Sequence, residues 1–317
     1  MRPALRVDAA AVARAHERLR PFLSPTRLVA CRGVRGRSVF LKLETEQPTG
    51  SFKVRGGLSN LLMQPFNAAG FVTASAGNHG LGVAWAAQQS KRKEPVTIFV
   101  PMSAPATKLE KLGRFGVNLL AAGKTYDDAV RAAKAFERET GATFIHAYDD
   151  PLTAAGQGTL AIELFAQLDA IGTLILPVGG GGLITGNAAW VKAIHPETRI
   201  VAVQPDASPA LAESIRQGRP LLEYPAGPTL ADGLAGGIGK LVFDHHDLID
   251  EIVNVPEPAI LAAIRSLHRD DGVRAEASAA ITRAAIDQPA ALAWKDPVVC
   301  VLSGGNIDDA VFAAIVA

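Results

Sequence analysis

A single lysine stands in the most distinctive short segment of this sequence, PTGSFKVRGG at residues 48–57. Lys53 follows a Thr-Gly-Ser turn and is preceded directly by the aromatic Phe52. A lysine on a solvated helix face needs no such setting, whereas an amine that must be neutral and nucleophilic does. A helix that begins here would disfavour the ammonium through its dipole and lower the pKa of the lysine. The segment therefore predicts Lys53 as a nucleophile, with Phe52 as its apolar wall.

Four consecutive glycines, Gly179 to Gly182, follow the apolar strand pattern TLILPV and precede the helical pattern LITGNAAWVKAIH. Without Cβ atoms, their backbone N–H groups can converge on an anion at a helix N-terminus. A plain strand-to-helix turn needs fewer glycines. The segment lacks the GK[ST] ending of a P-loop and the G-x-G-x-x-G spacing that suits a dinucleotide. We therefore expect this tetraglycine loop to bind a different phosphate group.

Two further strand patterns end in polar, glycine-rich turns. TASAGNHGLGVA places Ser75, Asn78 and His79 between a strand and a helix, where a hydroxyl, an amide and backbone N–H groups suit a carboxylate. A helix N-cap alone would need only one such residue. In VCVLSGGN, the hydroxyl of Ser303 stands at the strand end. A phosphate site, an amino-acid carboxylate site and a nucleophilic lysine together point to pyridoxal phosphate, whose aldehyde forms a Schiff base with lysine.

The elements that must position these residues alternate along the chain. Short runs rich in β-branched residues lie between alanine-rich amphipathic stretches, which is typical of α/β proteins with parallel sheets covered on both faces. Nine strands are many for one compact sheet, and no linker separates two halves, so we predict two interleaved lobes. Ligands of such sheets bind beyond the carboxyl ends of the strands. The predicted strands are SVFLKLE, FVTAS, VTIFV, VNLLAA, ATFIHA, TLILPV, RIVAVQ, EIVNV and PVVCVL.

Composition excludes several classes of protein. The chain has 317 residues, 48% of them hydrophobic and 20% charged, with a net charge of +1, as in ordinary globular proteins. No basic stripe suits nucleic acid or an anionic membrane, and no apolar run approaches the ~18 residues of a transmembrane helix. The N-terminus reads as a helix from Asp8 to Pro21 rather than a transit peptide. Cys31 and Cys300 allow no disulfide framework, so we expect a cytoplasmic protein.

Six segments, taken in order, resemble the hallmark motifs of fold-type II pyridoxal-phosphate enzymes, which share the tryptophan synthase beta-like fold. The branch that the sequence resembles most is that of the serine/threonine dehydratases (ammonia-lyases) and serine racemases. The resemblance spans roughly residues 20–310. It implies a small domain, residues 45–147, inserted in a large domain, residues 1–44 and 148–317. The segments are KLETEQPTGSFKVRGG, SAGNHGLGVA, AAGQGTLAIEL, PVGGGGLITG, LADGLAGGIG and LSGGN.

The resemblance also implies roles for individual residues. Lys53 would carry the Schiff base with Phe52 packed on the cofactor ring, and Lys53 and Ser75 are the candidate catalytic residues. Asn78 would lie near the ring hydroxyl, and Ser303 would contact the pyridine nitrogen. The further implied cofactor contacts are Gly179, Gly180, Gly181, Gly182, Leu183 and Gly233, and the implied substrate contacts are Ser75, Ala76, Gly77, Asn78 and His79.

Three departures from relatives are informative. Racemases of this branch place a second serine before Gly-Asn-His, whereas this sequence has Ala76, as dehydratases do. A methyl group cannot donate a proton, so racemisation loses its second acid/base group. Several relatives have a metal-ligating glutamate where this sequence has Gln204, and an amide is a weaker cation ligand, so we expect no metal. Tyr148 stands where racemases carry a small polar residue, which predicts altered side-chain selectivity.

Other conspicuous residues have simpler interpretations. His245 and His246, in FDHHDL, are adjacent and lie about 100° apart on a helix, unlike the i, i+4 pairs that bind zinc, so a solvated segment is expected. Cys300 lies in the apolar run VVCVL and is expected in the core. Cys31 stands near Arg32 and Arg35, which is consistent with an exposed thiol.

The sequence as a whole predicts a pyridoxal-phosphate-dependent ammonia-lyase that dehydrates a β-hydroxy amino acid, with serine or threonine as the default substrate and a homodimer as the expected assembly. Ser303 supports this prediction, because a hydroxyl need not keep the pyridine nitrogen protonated and so favours prompt elimination. Alternatives on the same scaffold are serine racemisation, β-replacement, and dehydration of 3-hydroxyaspartate, phenylserine or an ectoine-pathway hydroxy amino acid. A non-enzymatic amino-acid- or nucleotide-binding protein is the alternative of a different class.

Overall fold

The computed structural model describes residues 6–317 and has the mostly parallel α/β architecture predicted from the sequence. The strands are β1 (Leu28–Ala30), β2 (Val39–Leu43), β3 (Phe71–Ala74), β4 (Val96–Val100), β5 (Asn118–Ala121), β6 (Thr143–Phe144), β7 (Thr173–Pro177), β8 (Arg199–Pro205), β9 (Glu251–Val255) and β10 (Val298–Leu302). The α-helices are α1 (Ala9–Leu19), α2 (Lys53–Met63), α3 (Asn78–Gln89), α4 (Ala106–Gly113), α5 (Tyr126–Thr140), α6 (Pro151–Gln167), α7 (Gly182–Ile194), α8 (Ala210–Gln217), α9 (Lys240–Asp244), α10 (Glu257–Ser266), α11 (Ala277–Ala284) and α12 (Asp309–Val316).

The strands form two sheets. One has the order β1-β2-β10-β7-β8-β9 and is parallel except at β1, and the other has the order β5-β4-β3-β6 and is parallel throughout. All four strands of the second sheet lie between β2 and β7 in the chain, so the chain leaves the first sheet and returns to it. The two lobes are therefore interleaved, as predicted. The proposed domain boundaries at residues 45 and 147 stay a prediction.

Strand β1 was not predicted. It has only three residues and pairs antiparallel with β2, Leu28 opposite Lys42 and Ala30 opposite Phe40. The central strands β4, β7 and β10 are buried at every position, as expected where helices cover both faces of a sheet. A three-residue edge strand buries too little apolar surface to leave such a pattern in the sequence.

The N-terminal helix begins where the sequence predicts. The Asp8 carboxylate accepts the N–H of Ala11 at 2.7 Å and so caps α1, which ends at Leu19, two residues before Pro21. Its buried residues pack under α6 and α7. Within residues 6–317, no helix combines the length and the hydropathy that crossing a membrane requires.

Two minor predictions were wrong. Cys31 is buried, with 5% of its surface exposed, and its Sγ lies 3.7 Å from the Asp271 carboxylate, because β1 carries it under the first sheet. His245 is also buried rather than solvated. It follows the end of α9, and its Nδ1 lies 2.8 Å from the carbonyl of Leu241 in that helix. Cys300 is a fully buried core residue, as predicted.

Candidate active site

Lys53 is the first residue of α2, and its amine lies between the two sheets. The Nζ atom donates to the Ala147 carbonyl at 3.0 Å and lies 5.1 Å from the centroid of the Phe52 ring. The residue as a whole is half-buried, but its Nζ lies deep in the protein, and desolvation lowers the pKa of Lys53 to about 8. The predicted setting of a readily deprotonated amine at a helix start is therefore present.

Glycines on two helices allow close packing around this lysine. A methyl group added at Gly82 of α3 would lie 2.8 Å from the Lys53 carbonyl, and one added at Gly57 of α2 would lie 2.9 Å from the Gly82 carbonyl oxygen. A methyl group at Gly56 would meet the Gln157 side chain of α6 at 2.3 Å. Helix α2 is thus clamped between α3 and α6 at van der Waals distance, which explains the Gly-Gly pair after Arg55.

The tetraglycine loop presents a row of free N–H groups. None of the backbone N–H groups of residues 179–183 has a protein acceptor within the described part of the chain, and no side chain caps α7. Added methyl groups would lie 2.2 Å from the Tyr148 ring at Gly180 and 2.3 Å from the Val242 side chain at Gly181. Gly181 also has φ +96°. The glycines are thus required by packing behind the loop, while the N–H groups at the α7 N-terminus are free to bind an anion. Leu183 contributes only backbone to this site, because its side chain is in the core.

The turn before α3 forms a second helix N-terminus that lacks a side-chain cap. Ser75 Oγ accepts the Gly77 N–H at 3.1 Å, and a methyl group added at Gly77 would meet no atom within 4 Å, so the turn faces open space. Ala76 lies on the same turn, half-buried. The His79 ring instead lies in the core, where its Nε2 donates to the Ile145 carbonyl at 3.1 Å and burial lowers the pKa of His79 to about 3. His79 can therefore contact a substrate carboxylate only through its backbone N–H group, not through its ring.

Ser303 lies beside Lys53 in space. Its carbonyl accepts the Phe52 N–H at 3.0 Å, and the neighbouring Gly304 forms a bridge with Ser51. The Ser303 side chain is buried, and its Oγ lies 3.5 Å from the Ser278 carbonyl. The strand end that carries Ser303 and the helix start that carries Lys53 are therefore joined directly, as the end-of-strand rule for parallel sheets predicts.

Gly233 closes this part of the site. Its N–H donates to Ser278 Oγ at 3.1 Å, and its carbonyl oxygen lies 2.5 Å from the position that a methyl group on Gly179 would occupy. A side chain at Gly179 is thus excluded by Gly233 itself. Together with the contact of Ser303 to Ser278, this places four of the recognised segments around one space.

Glu276 is a site residue that the sequence reasoning missed. Its Oε1 accepts the Asn78 Nδ2 at 2.8 Å, and Asn78 Oδ1 in turn accepts the Asn306 Nδ2 at 2.7 Å. Burial raises the pKa of Glu276 to about 7, and its charge raises the pKa of Lys53. The only signal in the sequence was a lone acid in the alanine-rich segment RAEASAA.

A cleft of about 280 Å³ opens between the lobes beside Ala147. His146 Nδ1 accepts the Asp149 N–H at 2.9 Å, and burial lowers the pKa of His146 to about 4, so its ring is neutral. The ring stands edge-on to Tyr148, with centroids 4.7 Å apart. Tyr126, Lys134 and Ile238 are among the other residues of the cleft. The turn at residues 146–149 thus presents the Ala147 carbonyl to Lys53 and the Tyr148 ring to the tetraglycine loop.

Comparison with known proteins agrees with this geometry. The family model for "Pyridoxal-phosphate dependent enzyme" matches residues 19–304. The chain belongs to this family. It is 37% identical over 286 residues to an L-threonine ammonia-lyase of Geobacter sulfurreducens, covering 89% of this chain and 70% of the relative, and 40% identical over 280 residues to one of Thermotoga maritima, covering 87% and 69%. The solved structure of maize serine racemase superposes with a TM-score of 0.90 at 31% identity, covering 97% of this chain and 96% of that one.

The family's cofactor fits the residues present. A phosphate needs several converging donors, and the tetraglycine loop offers consecutive N–H groups with no protein acceptor within residues 6–317. A covalent bond to the cofactor aldehyde needs an amine that is readily deprotonated, and Lys53 is the buried lysine held by a single carbonyl. Lys42, the other lysine in the same region, is committed to Thr26, Glu163 and Gln167 at 2.8–3.1 Å. Pyridoxal phosphate is the cofactor, and the residues present fit it.

Glu276→Gln is expected to lower the pH at which Lys53 reacts with added cofactor. The carboxylate favours the ammonium form of Lys53, so a neutral amide moves the pKa of the lysine further below about 8. Glutamine keeps an oxygen for Asn78. The measurement is the rate at which cofactor-free protein gains visible absorbance with pyridoxal phosphate, followed against pH. An unchanged midpoint, or a shift to higher pH, would show that Glu276 does not act on Lys53.

Proposed function

We propose that this chain is a pyridoxal-phosphate-dependent ammonia-lyase that converts a β-hydroxy amino acid, L-threonine or L-serine by default, to a 2-keto acid and ammonia. The observation that carries the proposal is that one short segment contacts both the Lys53 amine, through the Ala147 carbonyl, and the tetraglycine loop, through the Tyr148 ring. The uncapped start of α3 at Ser75 and Gly77 offers a second place for an anion. These are the parts needed to hold a phosphate, a reactive aldehyde and an amino-acid carboxylate. The similarity of the chain to two L-threonine ammonia-lyases supports the same reaction.

The residues that would hold the cofactor follow from the same contacts. The N–H groups of residues 179–183 would bind its phosphate, Lys53 would bond its aldehyde, and Ser303 would face its ring nitrogen with Gly233 nearby. Asn78 would reach its ring hydroxyl, held in place by Glu276 and Asn306. When bound, pyridoxal phosphate supplies an electron sink for the negative charge that develops at the substrate α-carbon.

Lys53 would act as the base that removes the α-proton of the substrate. Its lowered pKa of about 8 makes the amine easier to deprotonate than a free lysine, and the Ala147 carbonyl accepts one of its hydrogens. The dipole of α2 works in the same direction, because it disfavours the ammonium at the helix start. The residue thus both anchors the cofactor and handles the proton on one face.

The turn at residues 75–79 would hold the substrate carboxylate through the hydroxyl of Ser75 and the first N–H groups of α3. A helix N-terminus without a side-chain cap suits an anion, and the open space over Gly77 admits one. The substrate side chain would then extend into the cleft lined by Tyr148 and Tyr126.

The reaction choice depends on Ala76, and Ala76→Ser is expected to raise racemisation severalfold while elimination continues. Ala76 follows Ser75 on the turn that we assign to the face opposite Lys53, and its methyl group cannot return a proton there. The gain is limited, because a serine also needs correct positioning and a proton supply. The measurement is the ratio of inverted amino acid to keto acid from L-serine, with Ala76→Val as a size control. A variant ratio equal to that of the wild type would remove Ala76 from the explanation.

The proposed function itself is tested with purified holoenzyme and a panel of substrates. Keto-acid release is measured from L-threonine, L-serine, 3-hydroxyaspartate, phenylserine and ectoine-derived hydroxy amino acids. Release of ammonia in equal amount is expected for the preferred substrate. A yellow protein that inverts its substrate faster than it deaminates it would be a racemase, and a colourless protein that binds amino acids without turnover would be a binding protein. Either result would overturn the proposal.

We also propose a cytoplasmic homodimer. Both cysteines are free and buried, which suits a reducing compartment. The small lobe exposes apolar side chains, including Phe66 and Met102, that a partner subunit would cover. Sedimentation of the purified protein at micromolar concentration should give the mass of two chains.

A further inference from the structure

Gln204 occupies a position behind the tetraglycine loop where several relatives carry a metal-ligating glutamate. Its side chain is fully buried near the end of β8. The Oε1 atom accepts the N–H groups of Leu211 and Ala212 at 3.1 and 3.3 Å, in the first turn of α8. The Nε2 atom lies 3.4 Å from the carbonyl oxygen of Val178, the residue before Gly179.

The orientation of this amide is set by its surroundings. Two backbone N–H groups must face an oxygen, so the NH₂ group must face the Val178 carbonyl. No oxygen of Gln204 is left for a cation, because its single side-chain oxygen already accepts two hydrogen bonds. Within residues 6–317, no group of three or more His, Cys, Asp or Glu side chains is arranged to hold a metal ion. The residues around Gln204 therefore do not fit a divalent cation.

Helix α8 is tied to the tetraglycine loop at a second point. Ser214 Oγ accepts the Leu221 N–H at 3.0 Å, and the Leu221 carbonyl accepts the Ile238 N–H at 2.9 Å. The next residue, Gly239, donates to the Gly180 carbonyl at 3.0 Å. The loop is thus connected to α8 at two points: Gln204 contacts Val178 just before the loop, and Gly239 contacts Gly180 in the middle of the loop. A substitution at Gln204 is therefore expected to displace the backbone N–H groups that bind the phosphate.

We propose that Gln204 is a positioning residue that takes the place of a divalent cation behind the phosphate-binding loop, so that cofactor binding by this chain needs no such cation. The amide joins α8 to the residue before the loop by three hydrogen bonds, of which a carboxylate cannot make the one to the Val178 carbonyl. A glutamate here could still accept the two N–H groups, but its second oxygen would face the Val178 carbonyl oxygen without a hydrogen. It would need a proton to restore the contact.

The first measurement uses the wild-type protein. The dissociation constant for pyridoxal phosphate is determined by equilibrium dialysis after treatment with EDTA, and again with added Mg²⁺ or Ca²⁺. We expect less than about a twofold change, since no oxygen site for the cation is available. Loss of cofactor in EDTA that Mg²⁺ or Ca²⁺ restores would overturn the proposal, independently of any variant and of the substrate that the enzyme uses.

The second measurement compares Gln204→Glu with Gln204→Met, which is similar in size and lacks all three hydrogen bonds. Relative to wild type at the same pH, both variants should bind the cofactor about tenfold more weakly at about pH 8. For Gln204→Glu, the ratio of the variant's dissociation constant to that of the wild type should fall towards one at about pH 6, because protonation of the glutamate restores a hydrogen-bond donor. For Gln204→Met, this ratio should stay constant with pH. Wild-type affinity of Gln204→Glu at about pH 8, or the same pH response in both variants, would refute the role of the amide.

Discussion

Lys53→Ala is expected to abolish β-elimination, with a loss of at least about a thousandfold in kcat. The substitution removes the amine that bonds the cofactor and the base on the reacting face at once. The second buried lysine of this region, Lys42, cannot substitute, because its amine is held by Thr26, Glu163 and Gln167. Stability should change little, since Lys53 has a single carbonyl partner and its burial as a cation is unfavourable.

Two measurements separate the chemistry of Lys53 from its charge. Borohydride reduction of the wild-type holoenzyme should fix the cofactor on the peptide that contains SFK. Lys53→Arg keeps a cation at the start of α2 but supplies no nucleophile, so it should be as inactive as Lys53→Ala. Label on a peptide with Lys42, or substantial activity in Lys53→Arg, would contradict the assignment.

The parts of the candidate site that can be recognised in the sequence are those whose chemistry is local. The tetraglycine loop, the turn at Ser75 and the lysine at the α2 start each require unusual residue types at consecutive positions, because a helix N-terminus must be left open to an anion. The strands that precede them are mostly apolar and buried, so they too leave a clear pattern. In β7, every residue is buried.

What the sequence does not reveal depends on contacts between distant segments. Glu276 and Asn306 reach Asn78 across 198 and 228 residues, and nothing near Glu276 in the chain indicates that partner. The direction of the His79 ring, into the core rather than into the cleft, likewise depends on the Ile145 carbonyl of a neighbouring segment. The reason for the glycines at 180 and 181 is of the same kind, since Tyr148 and Val242 occupy the space that side chains would need.

Arg55→Leu is expected to destabilise the protein by about 3–5 kcal/mol. The Arg55 guanidinium is 1% exposed and forms two bidentate pairs, with Glu44 at 2.7 and 2.8 Å and with Glu163 at 2.6 and 2.7 Å. Removing it leaves two buried carboxylates with Lys42 as their remaining cation. This arginine sits two residues after Lys53 on α2, so the same ion pairs also anchor the helix that carries the reactive amine.

The pH dependence of the stability lost in Arg55→Leu shows whether the buried ion pairs are its cause. In the wild type, Arg55 holds the pKa of the buried Glu44 below its ordinary value, so the ionised carboxylate stabilises the fold above the pKa of the unfolded chain and this contribution is lost as pH falls. In Arg55→Leu, the Glu44 carboxylate would lose its arginine partner and its pKa would rise. Protonation would then remove the unfavourable buried charge. The difference in unfolding free energy between wild type and variant should therefore narrow from about pH 8 to about pH 5.

The measurement is urea unfolding of the holoenzyme at both pH values, with Arg114→Leu as the matched control. Arg114 forms a pair with Glu110 in which both side chains are about 70% exposed, so its loss should change stability little at either pH. Because solvent screens the exposed pair but not the buried one, the two variants should differ most at the higher pH. If Arg55→Leu unfolds at the same urea concentration as Arg114→Leu, the buried ion pairs do not hold α2 in place, and the position of Lys53 must depend on the glycine contacts of Gly56, Gly57 and Gly82 alone.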